Sequence, residues 1–299
     1  MNRKVIYTCI TGGYDDVQEQ TYVNPEYDYI CFTDDMTTVK DSMWEFRPLV
    51  FSELTGLRNS RWHKLHPHDL FPQYDESLWI DGNLDILSPK FFDTMNIEDD
   101  DVIRVSRHPH QRYLWDEYAL NRELDKDDLN LMRLEEEKIK STGFDGDYRD
   151  GTFFETGIMW RRHNDPRCRE LMDDWWWWID HYSFRDQLSF TYVLWEKGMT
   201  VGYLFDENLR TSDMIKFADY VNHRNPNEYR SLWEASRAQG IEKDKLIGDL
   251  QKQIMDMKQI INGLANHVSL LQHSRSYRLG HVILTPYRMM KKLLGRAQN

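Results

Sequence analysis

The chain has 299 residues, 40% of them hydrophobic and 13% aromatic, which suffices for one large domain, or one domain with an appendage, around a sizeable core. A net charge of −12 argues against nucleic acid as a partner. Three cysteines, Cys9, Cys31 and Cys168, without CxxC spacing imply neither a disulfide framework nor a cysteine zinc site, so a reducing cytosol is expected. The opening residues MNRKVIYTCITGG lack an apolar h-region, and no run approaches ~18 apolar residues. Neither a signal peptide nor a spanning helix is expected.

Residues 5–11 are apolar and β-branched and meet Gly12-Gly13, which predicts a buried first strand and a tight turn. Residues 27–33 (YDYICFT) predict a second strand ending at Asp34-Asp35. Residues 52–66 carry Leu54, Leu57, Arg58, Arg61 and Leu65 at helical spacings. The run SLWIDGNLDIL, residues 77–87, predicts a further strand that stops at Asp81. Strands alternating with a helix argue for an α/β domain. In open α/β sheets ligands lie beyond the carboxyl ends of the strands, where Gly12-Gly13, Asp34 and Asp81 fall. Further on, 123–140 predicts a charged surface helix, 142–151 a Gly/Asp-rich loop and 153–160 a strand. Helices are predicted at 169–181 and 185–195. The four tryptophans 175–178 step ~100° apart, so core packing is expected for most, with another side open toward an acceptor.

The globular part is expected to span 1–225, followed by a linker at 226–240, a coiled coil at 241–273 and a basic amphipathic tail at 274–299. Ile247, Leu250, Ile254, Met257, Ile261, Leu264, Val268 and Leu271 alternate by three and four, β-branched at a and Leu or Met at d. That pattern favours a parallel two-stranded coiled coil, hence a homodimer; the alternative is one amphipathic helix on the body. No Asp or Glu follows Asp256, while seven Lys or Arg occur from Lys258 onward. A helix starting at Pro286 sets Met289, Met290, Leu293 and Leu294 opposite Arg288, Lys291, Lys292 and Arg296. Such a helix suits an anionic membrane surface, or else folds back on the acidic body. The membrane reading makes the protein peripheral on the cytoplasmic, inner face.

Asp81, Asn83 and Asp85 recur at every second position. They offer hard oxygens for Mn²⁺ or Mg²⁺ on a diphosphate; equally, Asp-Gly between apolar residues signals a type I′ hairpin. Arg58, Arg61 and Lys64 lie three apart, as a diphosphate clamp or as a solvated basic helix face. His108-x-His110 has no third ligand nearby, so it is not read as a zinc site.

YTCITGGYDDV, YDYICFTDD, RNSRWHKLHPHDLFPQYDESLWIDGN, RHPHQRYLWDEY, ETGIMWRRHN and RDQLSF occur in this order over residues 4–224. Together they resemble a family of glycosyltransferase-like domains of plant Golgi proteins and bacterial capsule or lipopolysaccharide gene clusters. That family is similar to the retaining glycosyltransferases of family 8, which implies a GT-A, Rossmann-like fold. It also implies glycosyl transfer from a nucleotide-sugar donor to a glycan or lipid-linked glycan acceptor in capsule or O-antigen synthesis.

The resemblance implies roles for single residues. Asp81-Gly82-Asn83 takes the metal-binding Asp-x-Asp position, with Asn83 replacing the second acid, Asp85 as a compensating ligand and His223 as a late one; the alternative for His223 is a loop His at the domain's end. Thr11, Gly12, Gly13 and Tyr14 would hold the nucleotide end, and Asp34 the base or ribose; the alternative for both is plain turn chemistry. His108 and Arg112 would contact phosphate, with Glu117 orienting Arg112. Glu155 would lie near the transferred sugar, and Asp186 with Gln187 would bind donor-sugar hydroxyls; Asp186 could instead pair with Arg185. Retention is favoured, whereas inversion would need Asp186 or Glu155 as base. Rival functions are a metal-dependent phosphohydrolase or nucleotidyltransferase, and a non-catalytic, membrane-tethered dimeric scaffold.

Overall fold

The computed structural model describes residues 3–13, 17–38 and 42–218, with Met257 and Ile261. The chain divides into two compact units, Met1–Pro226 and Asn227–Asn299, and the fold below is that of the first. Tyr14, His223, the linker at 226–240 and the tail at 274–299 lie outside the described residues, as does the coiled coil at 241–273 except Met257 and Ile261, both helical and exposed.

Among the described residues one sheet has seven strands. In it β1 (Lys4–Ile10) pairs in parallel with β2 (Tyr27–Thr33) and β4 (Glu76–Ile80), and β3 (Glu45–Pro48) extends β2. Next comes β7 (Phe154–Arg161), antiparallel to both β4 and β6 (Ile103–Arg107), and β8 (Gly202–Tyr203) runs parallel to β6. Among these strands β7 alone is reversed, so the sheet is mixed and mainly parallel, as expected of a GT-A-like α/β domain.

The central strands are buried on both faces, which is why they read as unbroken apolar runs. Tyr7, Phe32, Trp79 and Met159 enter one core with α6 (Pro166–His181) and α7 (Gln187–Glu196). Ile6, Leu78, Ile80 and Trp160 enter the other. Each large apolar side chain so buried contributes ~1.5–3 kcal/mol, and Trp175 and Trp178 accordingly turn inward, leaving Trp177 exposed.

Two expectations are corrected. The helix expected at 123–140 is shorter, α5 (Leu129–Lys140), and a separate, unexpected helix, α4 (Leu114–Glu123), precedes it. Asp128 breaks the run by accepting the N–H groups of Asn130 and Leu131 at 2.8 and 3.0 Å, an N-cap. Nor does Asp81-Gly82 make a hairpin: β5 (Leu84–Ile86) pairs with β9 (Ile215–Phe217) instead of β4. Gly82 also lacks the positive φ that a type I′ turn demands. Two short helices, α2 (Pro67–Leu70) and α3 (Lys90–Asp93), complete the connections around β4. Among the described residues no helix is long and apolar enough to cross a membrane.

Candidate active site

The site is built at the carboxyl ends of β1 and β4. Beyond β1, Thr11 donates its hydroxyl to the Gly56 carbonyl at 2.6 Å, and Gly12 and Gly13 take φ of 65° and 61°. Gly12 N–H donates to the Asp34 carboxylate at 2.8 Å, tying the tips of β1 and β2 together. Positive φ is natural only for glycine, so this turn needs both.

Helix α1 (Gly56–Leu65) docks on β1 through the Ser60 hydroxyl, which donates to the Cys9 carbonyl at 2.9 Å. Its basic residues do not form a solvated face. Arg58 donates to the carbonyls of Ile179, Asp180 (3.3 Å) and Tyr182 (2.5 Å), where the end of α6 leaves carbonyls unpaired. It therefore serves α6 and does not join the other two. Arg61 lies 3.8 Å from Asp186, and Lys64, 1% exposed, forms a hydrogen-bonded ion pair with Asp186. The Lys64 ammonium also lies 3.9 Å from Asp81 and 5.4 Å from the Trp79 ring centroid.

Asp186 precedes α7, but its side chain does not cap that helix. Its carboxylate accepts from Thr156 at 3.0 Å, and its carbonyl accepts from the Trp175 indole at 3.0 Å. Burial would raise this carboxyl, but Arg61, Lys64 and Arg185 outweigh burial and hold it well below the usual carboxylate range. Burial lowers the Lys64 ammonium, against the pull of Asp186 and Asp81. Arg185 turns aside to Asn121, 2.9 Å away, so it is not the hydrogen-bonded partner of Asp186. Gln187 reaches the Phe154 carbonyl at 3.5 Å.

Asp81 is held by β7 and by Trp79, beside a bulge where β7 meets β6. Val105 pairs with Met159 but Ser106 with Glu155, so β7 leaves β6 between them. The Gly157 carbonyl, next along the β4–β7 pairing after Ile80 and Ile158, accepts Asp81 N–H at 2.9 Å, and a Cβ on Gly157 would lie 3.1 Å from Asp81 Oδ2. Asp81 Oδ1 accepts from the Trp79 indole at 2.8 Å. The Asn83 carbonyl accepts from Ala218 N–H at 2.8 Å, and its amide side chain makes no hydrogen bond among the described residues. Asp85 is not brought into this group: its two oxygens accept from Thr21 N–H at 2.6 Å and Thr21 hydroxyl at 2.8 Å. Among the described residues no three His, Cys, Asp or Glu side chains group as metal ligands.

The remaining expected residues have other surroundings. Glu155 pairs with Arg210, whose guanidinium stacks 3.9 Å over Phe217. His108 accepts the N–H of Gln111 at 2.8 Å through Nδ1, and its Nε2 lies 3.8 Å from Glu117. Burial, with His110 and Arg210, pushes His108 down to about 4, so at neutral pH it brings no charge to a phosphate. Glu117 does not orient Arg112; it accepts from Asn121 at 2.7 Å, and burial raises its carboxyl. Arg112 is exposed, with its stem along Gly151. Sequence reasoning missed Trp79 and Arg210. The period of two linking Trp79 to Asp81 could have flagged the first; nothing local marks Arg210.

The TOD1/MUCI70 glycosyltransferase-like domain model matches residues 47–215. The match contains Arg61, Lys64, Asp81, Glu155 and Asp186 and begins after β1 and β2. No curated protein matches by sequence. Similar solved structures include mouse xyloside xylosyltransferase 1, at 15% identity over 68% of this chain and 85% of that one, with TM-score 0.39. The WbbM bifunctional glycosyltransferase is similar at 13% identity over 68% of this chain and 38% of that one, with TM-score 0.38. GlyE of Streptococcus pneumoniae TIGR4 is similar at 10% identity over 74% and 55%, with TM-score 0.40. The chain thus spans less than two thirds of the latter two.

Proposed function

Because the chain belongs to the TOD1/MUCI70 glycosyltransferase-like domain family, we propose that it transfers a sugar from a nucleotide-sugar donor to a glycan or lipid-linked glycan acceptor. The observation that carries this reading is the convergence of Arg61, Lys64, Asp186 and Asp81 at the ends of the parallel strands. Two cations held there suit a diphosphate, and Lys64 and Arg61 would stabilise the charge that grows on it as the sugar leaves. The Thr11 to Gly13 turn and Asp34 would hold the nucleotide end. Asp186, Gln187 and Glu155 would contact the sugar.

Asp81 and Asn83 supply hard oxygens that fit Mn²⁺ or Mg²⁺ when phosphate and water complete the shell. Asp85, held by Thr21, does not join them. His223, five residues beyond Ala218, is the further ligand proposed. When bound, the metal would act as a Lewis acid toward the leaving diphosphate.

Retention is the proposed stereochemistry. A carboxylate held as low as Asp186 is a weak base, and Glu155 is paired with Arg210. The departing phosphate can take the acceptor proton itself. The heptads at 241–273 and the basic face at 274–299 further support a homodimer bound peripherally to the cytoplasmic face of an anionic membrane, in surface polysaccharide synthesis.

The test is incubation of the full chain with UDP-, GDP- and CMP-sugars, acceptors, and Mn²⁺, Mg²⁺ or chelator. A glycosylated acceptor is expected. Nucleotide release without any glycosylated product would instead make the protein a hydrolase.

A further inference from the structure

Arg161, at the end of β7, is fully buried, yet among the described residues its acceptors include no carboxylate. A guanidinium buried without a counter-ion is costly, so its position calls for a cause. Its Nη1 donates to the Lys64 carbonyl at 2.6 Å and to the Met172 sulfur at 3.4 Å. Nη2 donates to the Tyr7 hydroxyl, which itself donates to the same Lys64 carbonyl at 2.8 Å. Among the described residues Nε has no hydrogen-bond partner.

Lys64 is the last residue but one of α1. Carbonyls at that end of a helix lack intrahelical partners and form the negative end of its dipole. The buried cation therefore sits against the negative end of α1. Residues from β1 and β7 close around one carbonyl, and the side chain of that same residue ends between Asp186 and Asp81.

We infer that Arg161, with Tyr7, is a positioning residue for Lys64: it fixes the backbone from which the ammonium is aimed. The functional part of this inference rests on the donor-site reading of Lys64. An apolar side chain would fill the same space without binding the carbonyl, and this difference makes the role testable.

The experiment compares Arg161→Met and Tyr7→Phe with wild type by three readouts. The first is thermal stability, which Arg161→Met should keep or raise, since exchanging a buried charge for an apolar chain of similar size is often neutral or stabilising. The second is the Lys64 side-chain ammonium signal in ¹⁵N-lysine-labelled protein, assigned by its loss in Lys64→Met; it should shift in both variants. The third is kcat/KM, which should fall ~10–100-fold, as for a small misplacement of a reacting group. The fall should vanish when Arg161→Met is placed in a Lys64→Met background. An unmoved Lys64 signal, or a loss undiminished in that background, would overturn the inference. If Arg161→Met does not fold, Tyr7→Phe, which removes one hydroxyl, decides by the same readouts. A shifted Lys64 signal in a protein inactive with every donor would uphold the positioning role and sink the transferase reading.

Discussion

Lys64 and Asp186, 122 residues apart, form an ion pair with only 1% and 4% of their side chains exposed. Buried pairs of this kind contribute little net stability while intact, but losing one partner strands the other charge. Asp186→Asn should therefore destabilise the protein by ~3–5 kcal/mol in urea unfolding. The double variant Lys64→Met/Asp186→Leu should recover most of that loss while remaining inactive. A double variant as unstable as Asp186→Asn would show that the stranded ammonium is not the cause. The pH sign follows from the lowered carboxyl of Asp186. Its stabilisation is present above the ordinary carboxylate range and is lost as pH falls below it.

Glu135 behaves in the opposite sense. It is fully buried on α5, and burial raises its carboxyl well above the ordinary value, outweighing the opposite pull of the Tyr118 hydroxyl and the Ser183 backbone. Between those two values the folded protein holds a proton that the unfolded chain has released. Stability then falls by ~1.4 kcal/mol per pH unit as pH rises through that window. Glu135→Gln should remove this slope and stabilise the protein more at pH ~8 than at pH ~5. Urea unfolding at both values is the check, and an equal gain at both would contradict the assignment.

Arg58 and Arg61, one helical turn apart, should separate cleanly. Arg58→Ala removes donors from the end of α6 and should cost ~1–3 kcal/mol of stability with donor affinity unchanged. Arg61→Ala should weaken donor binding by ~1.5–3 kcal/mol, measured by calorimetry. Equal losses of donor affinity would return Arg58 to the clamp.

Gly157 offers a test of Asp81 that leaves its carboxylate in place. A methyl group there meets Asp81 Oδ2 at 3.1 Å and must displace it by a few tenths of an ångström. Gly157→Ala should lower kcat/KM at least ~10-fold while changing stability by less than ~1 kcal/mol. Full activity would mean that the position of Asp81 is not critical.

Much of this was legible in the sequence, and the rest failed for physical reasons. Residues 27–33 read as the strand that forms, because burial on both faces leaves the apolar run Tyr29 to Phe32, with only Asp28 exposed. Asp81 was legible as a strand end. The hairpin alternative failed because β5 finds its partner in β9, about 130 residues later, which no local pattern encodes. Asp186 was named from resemblance, but its partnership with Lys64 depends on α1 and α7 meeting across the fold. Arg58 and Lys64 look equivalent by helical spacing. What distinguishes them is the end of α6 packed beside one and the two carboxylates beside the other.

The Lys64–Asp186–Asp81 group is proposed as the donor site of a glycosyltransferase. Its most direct test is product formation by wild type and Asp81→Ala with the donor sugar that wild type uses, with folding of the variant checked by circular dichroism. A folded Asp81→Ala protein should transfer sugar at least ~100-fold more slowly, the scale set by removing a key stabiliser of transition-state charge. A folded Asp81→Ala protein that transfers sugar at the wild-type rate would contradict this assignment.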